Sequence, residues 1–303
     1  MLKIISGWIP NGTLKAMMLK TIRHFGLRSA LIRFYSGCKT TFLRNSKRYF
    51  QIEVHITEHC NLNCKGCSHF SPLADEIFLD PAAFEKDCAR LAKITNELVV
   101  IKLLGGEPLL HPKLISFFEI ARKYFKTTVV QLTTNGALLW KQPDEFWIAS
   151  HKYKIYIEIS DYPVNIHIEK VQAKSKKYKV CIGYTVAKET GMGKTPIDLD
   201  GAQDAGANFA ACGSASLGGC VTLRDGRIYV CSAAAHIQFF NKHFGKDLRV
   251  TEKDYIDIYK AKDKREILDF LHSPIPFCRY CNLAASSSGL EWAVSKREIS
   301  EWV

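Results

Sequence analysis

The 303-residue sequence predicts an α/β protein: a mostly parallel sheet, curved into an open or partial barrel of six βα units, followed by a smaller α+β region. Three features carry this. From residue 51 onward, short β-branched runs alternate with amphipathic stretches of about ten residues or more, the rhythm of repeated βα units. Strand, helix, strand in that order requires parallel pairing through right-handed crossovers. After about residue 185 the rhythm stops and a hairpin signal replaces it.

The elements come in order along the chain. Residues 51–57 (QIEVHIT) read as a strand, and 80–94 as a helix with Asp80 as N-cap and Pro81 in its first turn. A buried strand at 99–104 precedes an amphipathic helix at 112–125, whose apolar residues are Leu114, Phe117, Phe118, Ile120 and Ala121. Strands at 128–133, 154–159 and 179–184 alternate with helices at 144–153 and 168–177. Residues 221–230 (VTLRDGRIYV) form a hairpin, because Asp225-Gly226 accepts the two positive φ angles of a type I′ turn. Helices at 264–271 and 295–303 complete the smaller region. The organisation expected is a basic extension at 1–50 and a barrel at 51–185, with room for a sixth βα unit to about 210. A second domain at 210–303 completes the chain. Functional groups in such a barrel belong at the C-terminal ends of the strands.

Composition bounds the class. At 47% hydrophobic and 24% charged residues the chain is an ordinary globular one. Its longest uncharged run, 205–223, is too rich in Gly and Ser to span a bilayer. The start has no small-residue cleavage site, so the expected compartment is the cytoplasm. The net charge of +12 suggests nucleic acid until it is divided. Residues 1–50 hold ten Lys or Arg and no Asp or Glu, so the remainder is nearly balanced and no nucleic-acid partner is expected. Within the extension, residues 13–35 place Leu14, Met17, Met18, Ile22, Phe25 and Ile32 on one helical face, with Lys15, Lys20, Arg23 and Arg33 around it. Such a helix either lies peripherally on an anionic inner-membrane face or packs on the barrel with its basic side in water.

Eleven cysteines in a reducing compartment point to metal or catalytic sites rather than disulfides. Cys38, Cys88 and Cys181 stand alone and read as small buried hydrophobes. The others cluster. Cys60, Cys64 and Cys67 come directly after the first strand as C-x3-C-x2-C. Three thiolates on a tight loop can hold three irons of a [4Fe–4S] cluster and leave the fourth open to a non-protein ligand. Zinc sites instead favour C-x2-C pairs closing four ligands around the metal. A second set comprises Cys212, Cys220 and Cys231, then Cys278 and Cys281 as C-x2-C. Iron–sulfur and zinc readings both remain open there. Gly191-Met-Gly-Lys-Thr195 lacks the earlier glycine of a P-loop, where Lys188 stands. His55/His59 and His69/His111 flank the cysteine loop and the segment after the second strand. Local hydrogen bonding and a proton-relay or substrate role are both readings of these pairs.

The cysteine loop and the strand ends after it resemble the radical S-adenosylmethionine (SAM) superfamily across residues 51–185. The second strand ends in Gly105-Gly106-Glu107-Pro108, similar to the GGEP segment, whose backbone and carboxylate bind the methionyl ammonium of SAM. The third ends in Thr134-Asn135-Gly136 and the fourth in Ser160-Asp161, where the family places polar and ribose contacts. Many members carry an aromatic residue before the third cysteine; this chain has Gly66, and Phe70 is the substitute adenine contact. The later cysteines resemble the twitch form of the SPASM auxiliary domain. That resemblance implies a second [4Fe–4S] cluster on Cys212, Cys231, Cys278 and Cys281. Cys220 is then an alternative ligand to Cys212, a hydrogen-atom donor, or a buried thiol.

The family resemblance implies one-electron reduction of bound SAM to a 5′-deoxyadenosyl radical that takes hydrogen from unactivated carbon, with flavodoxin or ferredoxin as electron donor. Stretches such as CNLNCKGCSHF and FCRYCN resemble chains associated with surface-polysaccharide biosynthesis, which implies oxidation or epimerisation of a sugar-like small molecule. A peptide-modifying radical SAM enzyme and a non-catalytic iron–sulfur or zinc protein at the membrane are the alternatives.

Overall fold

The computed structural model describes residues 51–95, 98–160, 162–185, 192–213 and 220–303. The chain divides into a unit of residues 1–48 and one of residues 49–303. The amphipathic helix expected at 13–35 lies outside the described residues. In the second unit the βα rhythm is realised as β1 (Gln51–Thr57), α1 (Pro81–Ile94), β2 (Val100–Gly105), α2 (Leu114–Tyr124), β3 (Val129–Thr134), α3 (Asp144–Lys152), β4 (Ile155–Ser160), α4 (Ile168–Tyr178) and β5 (Cys181–Thr185). Asp80 caps α1 as expected, its carboxylate accepting from the Ala82 N–H at 3.2 Å with Pro81 opening the helix.

Successive strand residues point to opposite sides, so alternating sequence makes two unlike faces. Ile52, Val54, Ile56, Ile101, Leu103, Val130, Leu132, Ile155, Ile157 and Ile159 are buried in the main hydrophobic cluster with residues of α1 to α4. On the other face, Glu53, Lys102, Gln131 and Tyr156 stand in one register row, and Thr133 and Glu158 in the next. The Glu53–Lys102 ion pair (2.9 Å) belongs to the first row. The barrel therefore has an apolar outside and a polar inside.

The remaining elements are β6 (Met192–Lys194), α5 (Ala205–Ala211), β7 (Thr222–Arg224), β8 (Arg227–Tyr229), α6 (Ser232–Phe244), β9 (Tyr255–Asp257), α7 (Lys264–Leu271) and β10 (Ser287–Leu290). The β7–β8 hairpin turns through Asp225 (φ 50°) and Gly226 (φ 70°), the positive angles its sequence requires. It does not stand apart from the barrel. β7 pairs parallel with β1, so one sheet runs β5-β4-β3-β2-β1-β7-β8-β9, and its sixth parallel strand lies beside β1. The mostly parallel α/β class predicted from the sequence is the observed one.

Two local expectations change. α6, directly after Cys231, buries Ala234, Ala235, Ile237, Phe239 and Phe240 and was not anticipated. The helix expected at 295–303 is only a 3-10 turn, Ile299–Glu301. Its upstream backbone is extended because the Ser295 N–H donates to the Asn63 carbonyl (2.7 Å) and the Lys296 N–H to the Glu301 carboxylate (2.6 Å). Among the described residues no helix is long and apolar enough to cross a membrane.

Candidate functional site

Where β1, β2, β3 and β4 end, one pocket is lined by Cys60, Cys64, Cys67, His69, Gly105, Gly106, Thr133, Thr134, Asn135, Ser160 and Tyr162, among others. Gly105 and Gly106 are required by the chain itself. A Cβ at Gly105 would stand 2.0 Å from the Thr57 carbonyl oxygen, and one at Gly106 2.0 Å from that of His59. The Gly106 N–H donates to the Thr57 carbonyl (2.9 Å) and the Glu107 N–H to the His59 carbonyl (3.0 Å). The loop leaving β1 is thereby clamped against the end of β2, and the cysteines it carries face the pocket.

Glu107 lies behind this wall, wholly buried. Its carboxylate accepts from the Leu109 N–H (3.0 Å), the Thr134 hydroxyl (2.6 Å) and the Asn135 N–H (2.9 Å). A carboxylate offers about four lone-pair positions, so one remains. Burial nevertheless pushes its pKa up to about 7, against the pull of these three donors. Pro108 is likewise buried, opening a short 3-10 turn. Asn135 donates through Nδ2 to Asn61 (2.8 Å) and accepts through Oδ1 from the Ala137 N–H (3.0 Å).

The three thiols differ. Burial pushes Cys60 up to about 12 and raises Cys64, with neighbouring thiolates adding to both. Burial also opposes ionisation of Cys67, but the hydrogen bond and charge of His69 outweigh it and hold this thiol below its ordinary value. Burial in turn opposes protonation of His69, and Cys67 outweighs it the other way. Three convergent thiols that repel one another as thiolates are a donor set suited to a cationic metal centre, which removes that repulsion.

The second cysteine set also converges. The charges of Cys281, Cys278 and Cys212 all raise Cys231, which burial raises first, while Cys212 and Cys278 raise Cys281 to about 12 after burial. Asn208 of α5 fixes the Cys278–Cys281 turn, donating to both carbonyls (2.9 and 2.6 Å). Cys220 lies just ahead of β7, its carbonyl accepting from the Thr222 hydroxyl (3.2 Å). Among the described residues, His55, Glu58 and His236 bring three potential ligand atoms within 4.8 Å of one another.

That histidine group was not legible in the sequence. Glu58 pairs with Arg224 (2.9 Å), and His55 Nδ1 and His236 Nε2 lie 3.3 and 3.5 Å from its other oxygen. The two imidazoles stack, with centroids 3.9 Å apart and planes 27° apart. Burial keeps both neutral. The stack joins β1, which leads into the first cysteine loop, to α6, which begins just after Cys231.

Of the predicted residues, Gly105, Gly106, Thr134, Asn135 and Ser160 meet Cys60, Cys64 and Cys67 at one pocket, and Glu107 and Pro108 support it from behind. Phe70 does not line it. It is buried, with its ring 5.8 Å from that of Phe240 and 6.4 Å from that of Trp302. The aromatic at the pocket is Tyr162, adjoining Asp161, which lies outside the described residues. Gly66 has φ 65°, and a Cβ there would stand 3.0 Å from the Glu301 carbonyl oxygen, which explains why no aromatic side chain occupies that position. His111 is satisfied locally, with Nε2 bonded to the Leu79 carbonyl (2.9 Å) and Nδ1 accepting from the Lys113 N–H (2.9 Å).

Residues 54–179 match the Radical SAM superfamily profile. A probable GTP 3′,8-cyclase of Pyrococcus abyssi is 28% identical over 137 residues, 45% of this chain and 39% of that protein. A GTP 3′,8-cyclase of Synechocystis sp. is 33% identical over 113 residues, 35% of this chain and 32% of that protein. The chain thus spans about two fifths or less of the length of these relatives. The crystal structure of BtrN in complex with AdoMet and 2-DOIA aligns with a TM-score of 0.50 at 16% identity, covering 77% of this chain and 93% of that one, a likeness of fold. The cysteine loop, the strand-end pocket and the profile match coincide in one stretch of sequence: residues 54–179 are similar to the radical SAM superfamily.

Proposed function

We propose that this chain is a radical SAM enzyme with two [4Fe–4S] clusters, acting on a hydroxyl-rich, carbohydrate or nucleotide-sugar-like small molecule by oxidation or epimerisation. Cys60, Cys64 and Cys67 would hold the first cluster, and Cys212, Cys231, Cys278 and Cys281 the second. The bound cluster and SAM would supply a hydrogen-abstracting radical; the protein supplies binding and shielding. Gly106, Thr134, Asn135 and Ser160 shape the SAM pocket, and the remaining lone pair of Glu107 is the acceptor for an ammonium. His69 holds a proton beside Cys67 and so favours its thiolate as a ligand.

The observation that carries the reading is the pairing of a three-thiol group that opens into a pocket with a separate four-thiol group. The first leaves room for a small ligand, whereas four thiolates complete a cluster's coordination. The hydroxyl-rich substrate class is supported by the barrel's inner face. Thr133 and Ser160 of the pocket continue along the same face into Glu158, Gln131, Tyr156 and the Glu53–Lys102 pair. Such a row of donors and acceptors suits hydroxyl groups. The relatives named as GTP 3′,8-cyclases share too little of their length for their substrate to be carried over. The test is anaerobic reconstitution, then addition of SAM and dithionite. Methionine and 5′-deoxyadenosine should form, and Cys64→Ala should abolish both. Their absence with an intact first cluster would refute the reading.

A further inference from the structure

The segment 287–303 crosses back over the first cysteine loop. β10 pairs antiparallel with β6, and Val294 forms an antiparallel bridge with Cys64. The Lys65 N–H donates to the Ala293 carbonyl (2.8 Å) and the Ser295 N–H to the Asn63 carbonyl (2.7 Å). The Trp302 indole N–H donates to the Cys67 carbonyl (2.9 Å). The loop is therefore held by backbone on both sides, and within this frame the Trp292 indole N–H donates to Cys64 Sγ at 3.1 Å. Indole N–H is a donor only, so its orientation is unambiguous. The Tyr162 hydroxyl is a second hydrogen-bond partner of the same thiol.

We propose that Trp292 is a positioning residue that sets the reduction potential of the iron–sulfur cluster at Cys60, Cys64 and Cys67; this rests on the cluster reading above. An N–H dipole aimed at a ligating sulfur stabilises negative charge there. Reduction adds an electron whose density spreads onto the sulfurs, so the bond favours the reduced state more than the oxidised one. Because residues 287–303 hold the indole in place through several backbone contacts, the donor is fixed before reduction and need not reorganise. Trp292 is separated from Cys64 by 228 positions. The segment thus supplies the loop with a donor that lies outside residues 54–179.

The test uses the full chain, reconstituted anaerobically without SAM, and a redox titration monitored by the electron paramagnetic resonance signal that Cys60→Ala abolishes and SAM perturbs. Trp292→Phe keeps the ring and removes the donor. At the wild-type midpoint the reduced-to-oxidised ratio should fall about tenfold, ~59 mV for a one-electron couple, with iron content unchanged. Val294→Ala, on the same segment but without a donor, should leave the midpoint in place. An unchanged midpoint in Trp292→Phe overturns the proposal. Loss of iron in that variant also overturns it, because the residue would then be holding the loop rather than tuning it. A wild-type chain without a Cys60-dependent, SAM-sensitive signal would refute the cluster reading and this proposal together.

Discussion

Replacing Glu107 with Gln separates the fold's interest from that of a cationic ligand. The Glu107 carboxyl is wholly buried, and burial lifts its folded pKa from 4.5 to about 7 despite three donors around it. The folded state therefore holds the proton more tightly than the unfolded one. Its stabilising contribution is complete below about pH 4.5 and is lost as pH rises through about 7. At about 1.4 kcal/mol per pH unit, that interval corresponds to an upper bound of about 3 kcal/mol. Gln has the shape of the acid and does not titrate, but its amide nitrogen cannot accept, so one of the three donors spread over the two oxygens loses its acceptor. Near pH 5, Glu107→Gln should therefore cost about 1–3 kcal/mol, the penalty of an unpaired buried donor. By pH 8 that deficit should shrink or close, a relative gain of up to about 10 °C in Tm for a unit of this size, at roughly 2–4 °C per kcal/mol. SAM affinity should fall about tenfold or more, because the charged partner of the ammonium is gone. The assay is thermal unfolding of both proteins, free of iron and SAM, from pH 5 to 8. A stability gap independent of pH would refute the reasoning.

The cysteine and charge patterns lead to further expected outcomes. Reconstituted protein should carry about eight iron per chain, and the triple variant Cys60→Ala/Cys64→Ala/Cys67→Ala about four. Cys212→Ala should cost about four iron, since the charge of Cys212 bears on Cys231, Cys278 and Cys281; iron lost from Cys220→Ala instead would make Cys220 the ligand. The basic extension should bind anionic but not neutral vesicles, reversibly with salt, at about 1 kcal/mol for each Lys or Arg near the surface. Equal co-sedimentation by a shorter chain beginning near Arg48 would show that residues 13–35 have no part in it.

The sequence by itself determined what is local. Alternation of period two and helical stripes read β1 to β5 and α1 to α4 within a few residues, because each element buries one face and its neighbours in sequence report that face. Cys60, Cys64 and Cys67 are legible for the same reason: the first and last stand only seven positions apart, so their loop must bring them together wherever it lies. Asp225-Gly226 specified its turn through backbone angles that few other pairs tolerate. The missed helix α6 shows the limit. Ser232, Ala234, Ala235, His236, Ile237, Phe239 and Phe240 are all buried, and a helix covered on most sides loses the polar stripe that would reveal it. Only tertiary structure decided that β7 lies beside β1, which makes the hairpin an extension of the barrel sheet. It also removed Phe70 to the core and set Glu301 against Gly66. It stacked His55 on His236, and placed the Trp292 indole on a sulfur 228 positions away. No periodicity encodes such pairings, because they depend on where separate elements come to rest against one another, which is set by packing of the whole chain rather than by any stretch of it.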